Sequence, residues 1–142
     1  MYFNEKGEHI IKPEMTNNRD LRLNILHKTP SFGFGAYAID IDFVEYDFVK
    51  DVQVIRAIWE AKDILYTSDE ALKKWRKNQM GVYLSIAKAL NIPAFLVRHN
   101  CTNDNKNFDT KSRFVVENLF TNEEIGDWEL PEFIKFIVSL HK

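Results

Sequence analysis

Residues 36–62 read AYAIDIDFVEYDFVKDVQVIRAIWEAK, and the reading of this stretch decides the fold. From Ala36 to Tyr46, the residues Ala38, Asp40, Asp42 and Val44 recur at every second position and would share one face of a strand. From Val52 to Lys62, β-branched and aromatic residues dominate, which predicts a second strand. The intervening Asp47-Phe48-Val49-Lys50-Asp51 is short enough for a hairpin. Antiparallel pairing then lays the start of the first strand beside the end of the second, bringing Asp40 and Asp42 near Glu60 and Lys62.

Downstream, the pattern changes from period two to helical spacing. Leu72, Trp75, Val82, Ile86 and Leu90 form an apolar stripe over a helix expected from Asp69 to Leu90. Thr67 with Glu70 fits a capping box at its start, and Asn91 followed by Pro93 ends it. Ala94 to Arg98 predicts a buried strand, Asn100 to Lys111 a polar loop, and Arg113 to Phe120 a further strand. Pro131 opens a last helix with Phe133, Ile134, Ile137 and Leu140 on one face.

Upstream, residues 13–18 supply start signals for a short helix running to about His27, capped by Asn17 or Thr16. Thr29-Pro30-Ser31-Phe32-Gly33-Phe34-Gly35 breaks it. No repeat, low-complexity tract or linker divides the chain, so a single α/β domain over residues 1–142 is expected.

Composition bounds the function. With 45% hydrophobic and 28% charged residues the chain has an ordinary globular balance. No apolar run is long enough to span a bilayer, and the first residues show no signal segment, so a cytoplasmic setting without membrane is expected. The lone Cys101 excludes an internal disulfide framework and four-cysteine zinc or iron–sulfur sites, and reads as an inert loop thiol. A net charge of −2 argues against a strongly basic nucleic-acid coat. Residues 117–132 nevertheless hold six acidic and no basic side chains, so the rest of the chain is net basic. That acidic run would point away from a charged substrate, or serve an interaction adaptor as its partner surface.

The chemistry concentrates in Asp40, Asp42, Glu60 and Lys62. Clustered carboxylates repel unless a cation joins them, and oxygen-only ligands suit Mg2+ or Mn2+ better than zinc. The bland alternative is a solvated strand face with a chance Glu-x-Lys. Gln79 stands on the apolar stripe where an aliphatic residue is expected, and Tyr83 lies one turn later on nearly the same side. A core amide bonded to the sheet and an amide that positions the site both fit. Trp59 and Trp75 read as core, and the basic run Lys73, Lys74, Arg76 and Lys77 reads as a solvated helix face or a phosphate-tracking one.

In their order, Asp40 on one strand, Glu60-Ala61-Lys62 on the next and Gln79-x-x-x-Tyr83 on the following helix resemble the PD-(D/E)XK nuclease superfamily, with a helix element similar to that of RecB-type nucleases. The resemblance covers residues 36–98. It implies a restriction-endonuclease-like central mixed β-sheet flanked by helices and a Mg2+- or Mn2+-dependent phosphodiesterase, with DNA favoured over RNA. By position it makes Asp40, Asp42 and Glu60 the metal ligands (Asp40 ahead of Asp42) and Lys62 the catalytic lysine. Gln79 and Tyr83 become support for the site and contacts to nucleic acid. Lys73, Lys77 and Arg98 are the weaker candidates for touching the substrate. An upstream ligand is common in the superfamily, and Glu14, Asp20 and His27 are candidates. The small size fits a phage, mobile-element or defence-system nuclease whose specificity comes from homo-oligomerisation, a protein partner or substrate shape. The alternative is a nuclease-fold module that binds nucleic acid or protein without turnover.

Overall fold

The computed structural model describes residues 2–3, 9–10, 39–100 and 108–141. The chain separates into two compact units, residues 1–39 and 40–142. In the first, β1 (Tyr2–Phe3) and β2 (His9–Ile10) pair antiparallel, Tyr2 opposite Ile10. The expected helix ending near His27, the candidates Glu14, Asp20 and His27, the turn at 29–35 and Cys101 lie outside the described residues.

The second unit is an α/β fold with a five-stranded mixed sheet in the order β3-β4-β5-β6-β7. β3 is Phe43–Val49, β4 Val52–Asp63, β5 Ala94–His99, β6 Phe114–Asn118 and β7 Glu123–Trp128. β3 and β4 form the expected antiparallel hairpin, with Val49 opposite Val52 and Phe43 opposite Trp59. The turn is tighter than anticipated. Only Lys50 and Asp51 connect the strands, both at positive φ (52° and 64°), the backbone of a primed two-residue turn. Asp47, Phe48 and Val49 therefore extend β3, whose aromatic and β-branched residues favour the pleated backbone despite the acidic side chain.

β3 also begins later than expected. Ala36–Tyr46 is not one strand: Asp40 and Asp42 precede Phe43 and stand off the sheet ladder. β5 returns parallel to β4 after the helical crossover, with Glu60 opposite Leu96 and Lys62 opposite Arg98. β6 and β7 then add antiparallel. β7 carries no strand pattern in the sequence, because Glu123, Glu124 and Asp127 disguise it as a solvated acidic run. Charges on an exposed edge strand are a common guard against edge-to-edge pairing. Gly126 is required there, since a Cβ would fall 2.1 Å from the Trp128 ring.

The expected helix from Asp69 to Leu90 is two helices, α1 (Asp69–Asn78) and α2 (Met80–Leu90), parted at Gln79 with φ −126° and ψ −31°. Ser68, not Thr67, is the N-cap; its side chain accepts from the Ala71 N–H. The break changes the buried face. Trp75, Tyr83 and Ala87 are buried, whereas Val82 and Leu90 of the anticipated stripe are exposed. In an unbroken helix Trp75 and Tyr83 would be separated by about 12 Å of axial rise. Here their ring centroids lie 5.7 Å apart, edge to face. Asn91 in the left-handed conformation closes α2.

Helices cover both faces of the sheet. On one, Tyr83 of α2 and Arg76 of α1 reach Glu60 of β4 and Glu117 of β6. On the other, α3 (Leu130–Ser139) sets Phe133 into a core of Ala57, Trp59, Phe95, Val97, Phe114 and Val116. Phe114 and Phe133 stack with centroids 4.2 Å apart. Full burial of such a side chain stabilises by about 1.5–3 kcal/mol. Ile134, expected on the buried face of this helix, is 52% exposed; Phe136, at the neighbouring core-facing position, packs instead. After α3, His141 bonds both Glu45 and Asp47, tying the end of the chain to β3.

Candidate active site

The site forms where β3 stops and β4 continues. Beyond Phe43, β4 has no strand partner on that side among the described residues, and its main-chain donors need acceptors. Asp42 supplies one: its Oδ2 accepts from the Ala61 N–H at 2.9 Å. A side chain thus replaces the missing strand, and its carboxylate comes to rest at the middle residue of Glu60-Ala61-Lys62. Glu60 and Lys62 project from the same face of β4.

Glu60 is buried, 6% exposed, and both of its oxygens are engaged. Lys62 Nζ lies 2.9 Å from Oε1, and Oε2 meets the Tyr83 hydroxyl. Tyr83 is fully buried and joins three chain segments at its hydroxyl. Besides Glu60, it donates toward the Asp40 carbonyl at 3.3 Å and accepts from the Asp42 N–H at 3.3 Å. One proton serves two acceptors, so the hydroxyl cannot satisfy both at once. Lys62 Nζ also lies 5.8 Å from the centre of the Trp75 ring, within cation–π range.

These surroundings set the charges. Burial pushes the Glu60 carboxyl above its ordinary range, and the negative charge of Asp42 adds to the push. The hydrogen bonds from Tyr83 and Lys62 pull it part of the way back. The Tyr83 hydroxyl is driven far up, first by burial and then by Glu60, and remains a proton donor throughout the working pH range.

The structure therefore gathers Asp42, Glu60, Lys62 and Tyr83. Asp40 contributes its main-chain carbonyl, and Asp40 and Asp42 are both exposed residues. Gln79 is not a buried amide on a continuous stripe; it is half-buried at the break between α1 and α2, with no capping bond from its side chain. Lys73 and Lys77 are exposed on α1, and Arg98 is half-buried on β5. Arg76 departs from the basic run, because its guanidinium binds both oxygens of Glu117 at 2.6 and 2.9 Å. Glu117 is accordingly buried inside the fold rather than part of an outward acidic surface. No local pattern announces that pair, whose members are 41 positions apart. Nor does any pattern announce the Ala61 N–H as the anchor of Asp42.

Among the described residues, no group of three or more His, Cys, Asp or Glu side chains is arranged to hold a metal ion. No helix among them is long and apolar enough to cross a membrane. The chain matches no protein-family model, no curated protein and no solved structure.

Proposed function

We propose that the chain is a Mg2+- or Mn2+-dependent phosphodiesterase on a restriction-endonuclease-like sheet, cutting DNA in preference to RNA. The observation that carries this reading is the seating of Asp42 on the Ala61 N–H, between Glu60 and Lys62. Asp42 and Glu60 are hard oxygen donors, and two carboxylates completed by water are a set that Mg2+ or Mn2+ accepts. The disfavoured charge of Glu60 is a penalty that a nearby dication would relieve. We place Asp42 ahead of Asp40 as the aspartate ligand, on its contact with β4. When bound, such a cation lowers the pKa of a water and offsets charge building on an attacked phosphoryl group.

The chain's own groups supply the rest. Tyr83 holds Glu60 in one rotamer and keeps its own proton. The Lys62 ammonium, steered by Glu60 and the face of Trp75, orients the attacking water or a phosphoryl oxygen. A P–O bond to water forms while the P–O bond to the leaving nucleotide breaks. This reading places the protein in the cytoplasm, with specificity drawn from a partner, a second copy or substrate shape.

One observation favours a second reading, a module that binds without turnover: both Glu60 oxygens and Asp42 Oδ2 already have protein partners. Labelled single- and double-stranded DNA and RNA, incubated with Mg2+, Mn2+ or EDTA, separate the two. Metal-dependent cutting that disappears in Glu60→Gln and Lys62→Ala is expected. Unchanged cutting by both variants would overturn the assignment, and binding without cutting would select the module.

A further inference from the structure

β4 and β5 are the parallel pair of the sheet, and both end at the same place, at Asp63 and His99. Ligands of α/β sheets gather outside the carboxyl ends of parallel strands. Lys62 and Arg98 are register partners there, so they stand side by side on the face that carries Glu60. Two cations in adjacent positions repel unless each finds an anion. Lys62 has Glu60.

Arg98 has none among the described residues, and the other described arginines make the contrast plain. Arg56 pairs with Asp47, Arg76 with Glu117, and Arg113 with Asp127 and Glu129. The Nε of Arg98 is buried with no hydrogen-bond partner. A second buried donor without an acceptor is the indole Nε1 of Trp75, the residue whose ring lies against Lys62. The Arg98 guanidinium is only half-buried and stands beside a lysine, and its planar terminal nitrogens are suited to a phosphate.

We propose that Arg98 binds a second phosphate of the nucleic-acid backbone, neighbouring the one held at Lys62. The inference rests on the nucleic-acid reading of the site and adds to it a second backbone contact, and with it the direction in which the strand crosses the sheet end. The strand runs across the ends of β4 and β5, from Lys62 toward Arg98. Arg98 acts in binding, and the reacting phosphate stays with Glu60 and Lys62.

The test uses the full chain and a fluorescein-labelled DNA oligonucleotide in EDTA, so that binding is read by anisotropy without cutting, over a series of salt concentrations. Arg98→Gln is expected to weaken binding about tenfold and to reduce the magnitude of the log K against log salt slope by about 1. Arg98→Lys should recover the slope and only part of the affinity, because an ammonium lacks the fork. The melting temperature of Arg98→Gln should equal or exceed that of the wild type, since no carboxylate loses its partner. Wild-type binding with unchanged affinity and slope in Arg98→Gln overturns the proposal. So does affinity that falls only together with melting temperature and is not recovered by lysine. A wild type that binds and does not cut, with the Arg98 effects intact, removes the nuclease reading and leaves this one standing. A wild type that does not bind the oligonucleotide removes both.

Discussion

The Oδ2 of Asp42 accepts the Ala61 N–H at 2.9 Å, so a side chain from before β3 completes the hydrogen bonding of β4 at the point where β3 ends. The same contact fixes a negative charge beside Glu60, where it raises the proton affinity of that carboxyl. Structure and electrostatics are joined in one group, and substitution can part them. Asp42→Asn keeps an acceptor for Ala61 and removes the charge. Its unfolding free energy should stay within about 0.5 kcal/mol of the wild type, while metal-dependent cleavage falls at least tenfold. Asp42→Ala should lose the activity and about 0.5–1.5 kcal/mol as well. Urea denaturation alongside the cleavage assay reads both quantities.

Tyr83 joins Glu60 to the chain segment at Asp40 and Asp42 through one hydroxyl. Tyr83→Phe keeps the edge-to-face contact with Trp75 and removes only that oxygen. A loss of about 1–3 kcal/mol is expected, because a buried carboxylate oxygen is left without a donor. Cleavage should fall even at temperatures where the variant is fully folded. A variant as stable and as active as the wild type would show that the hydroxyl has no part in the site.

His141 spans two carboxylates, Glu45 Oε2 at 2.8 Å and Asp47 Oδ1 at 2.9 Å. Arg56 adds a bond to Asp47 at 2.9 Å. The hydrogen bond to Glu45, and next that to Asp47, lifts His141 above its ordinary 6.5. The bond from His141, ahead of that from Arg56, holds Asp47 below its ordinary 3.8. A base with a raised folded-state pKa contributes stability that is complete below its unfolded value and lost as pH rises through the folded one. An acid with a depressed value contributes above its unfolded value and loses it as pH falls through the folded one. The cluster therefore acts most between those limits, from about pH 4 to somewhat above pH 6.5. Melting temperatures of wild type and His141→Gln should differ most near pH 5–6 and converge on the alkaline side; a constant gap from pH 5 to 9 would contradict the assignment.

The guanidinium of Arg76 on α1 meets both oxygens of buried Glu117 on β6. Arg76→Met leaves that carboxylate without its counter-charge and should destabilise by about 2–4 kcal/mol. The lower part of the range applies because the arginine side chain is 28% exposed. Adding Glu117→Leu to Arg76→Met should restore most of the loss, as an apolar pair of similar volume often replaces a buried ion pair at little cost. A double-mutant cycle by chemical denaturation checks this.

The hairpin of β3 and β4, the buried strand at Ala94–Arg98 and the amphipathic last helix are legible in the sequence because each rests on local periodicity; that β5 runs parallel to β4 is not. So is the common face of Glu60 and Lys62, which follows from their spacing alone. What escapes is set by where elements stop and by what lies across the sheet. A strand starting at Phe43 rather than Ala36 turns Asp42 from a rung into a side-chain partner of Ala61, and no local pattern marks that boundary. The break at Gln79 rotates the buried face from Val82 to Tyr83, because Trp75 and Tyr83 must meet over the same strands.

Chain order and alternation by themselves determined that two carboxylate-bearing segments would converge with one lysine at a sheet end. Tertiary structure alone decided that Asp42 is seated on the Ala61 N–H, that Glu117 is enclosed by Arg76, and that Arg98 has no carboxylate among the described residues. The physical reason is one of range. Strand and helix periods are written by neighbours a few residues apart, whereas the partner of a charge is chosen by whatever packing brings across the sheet.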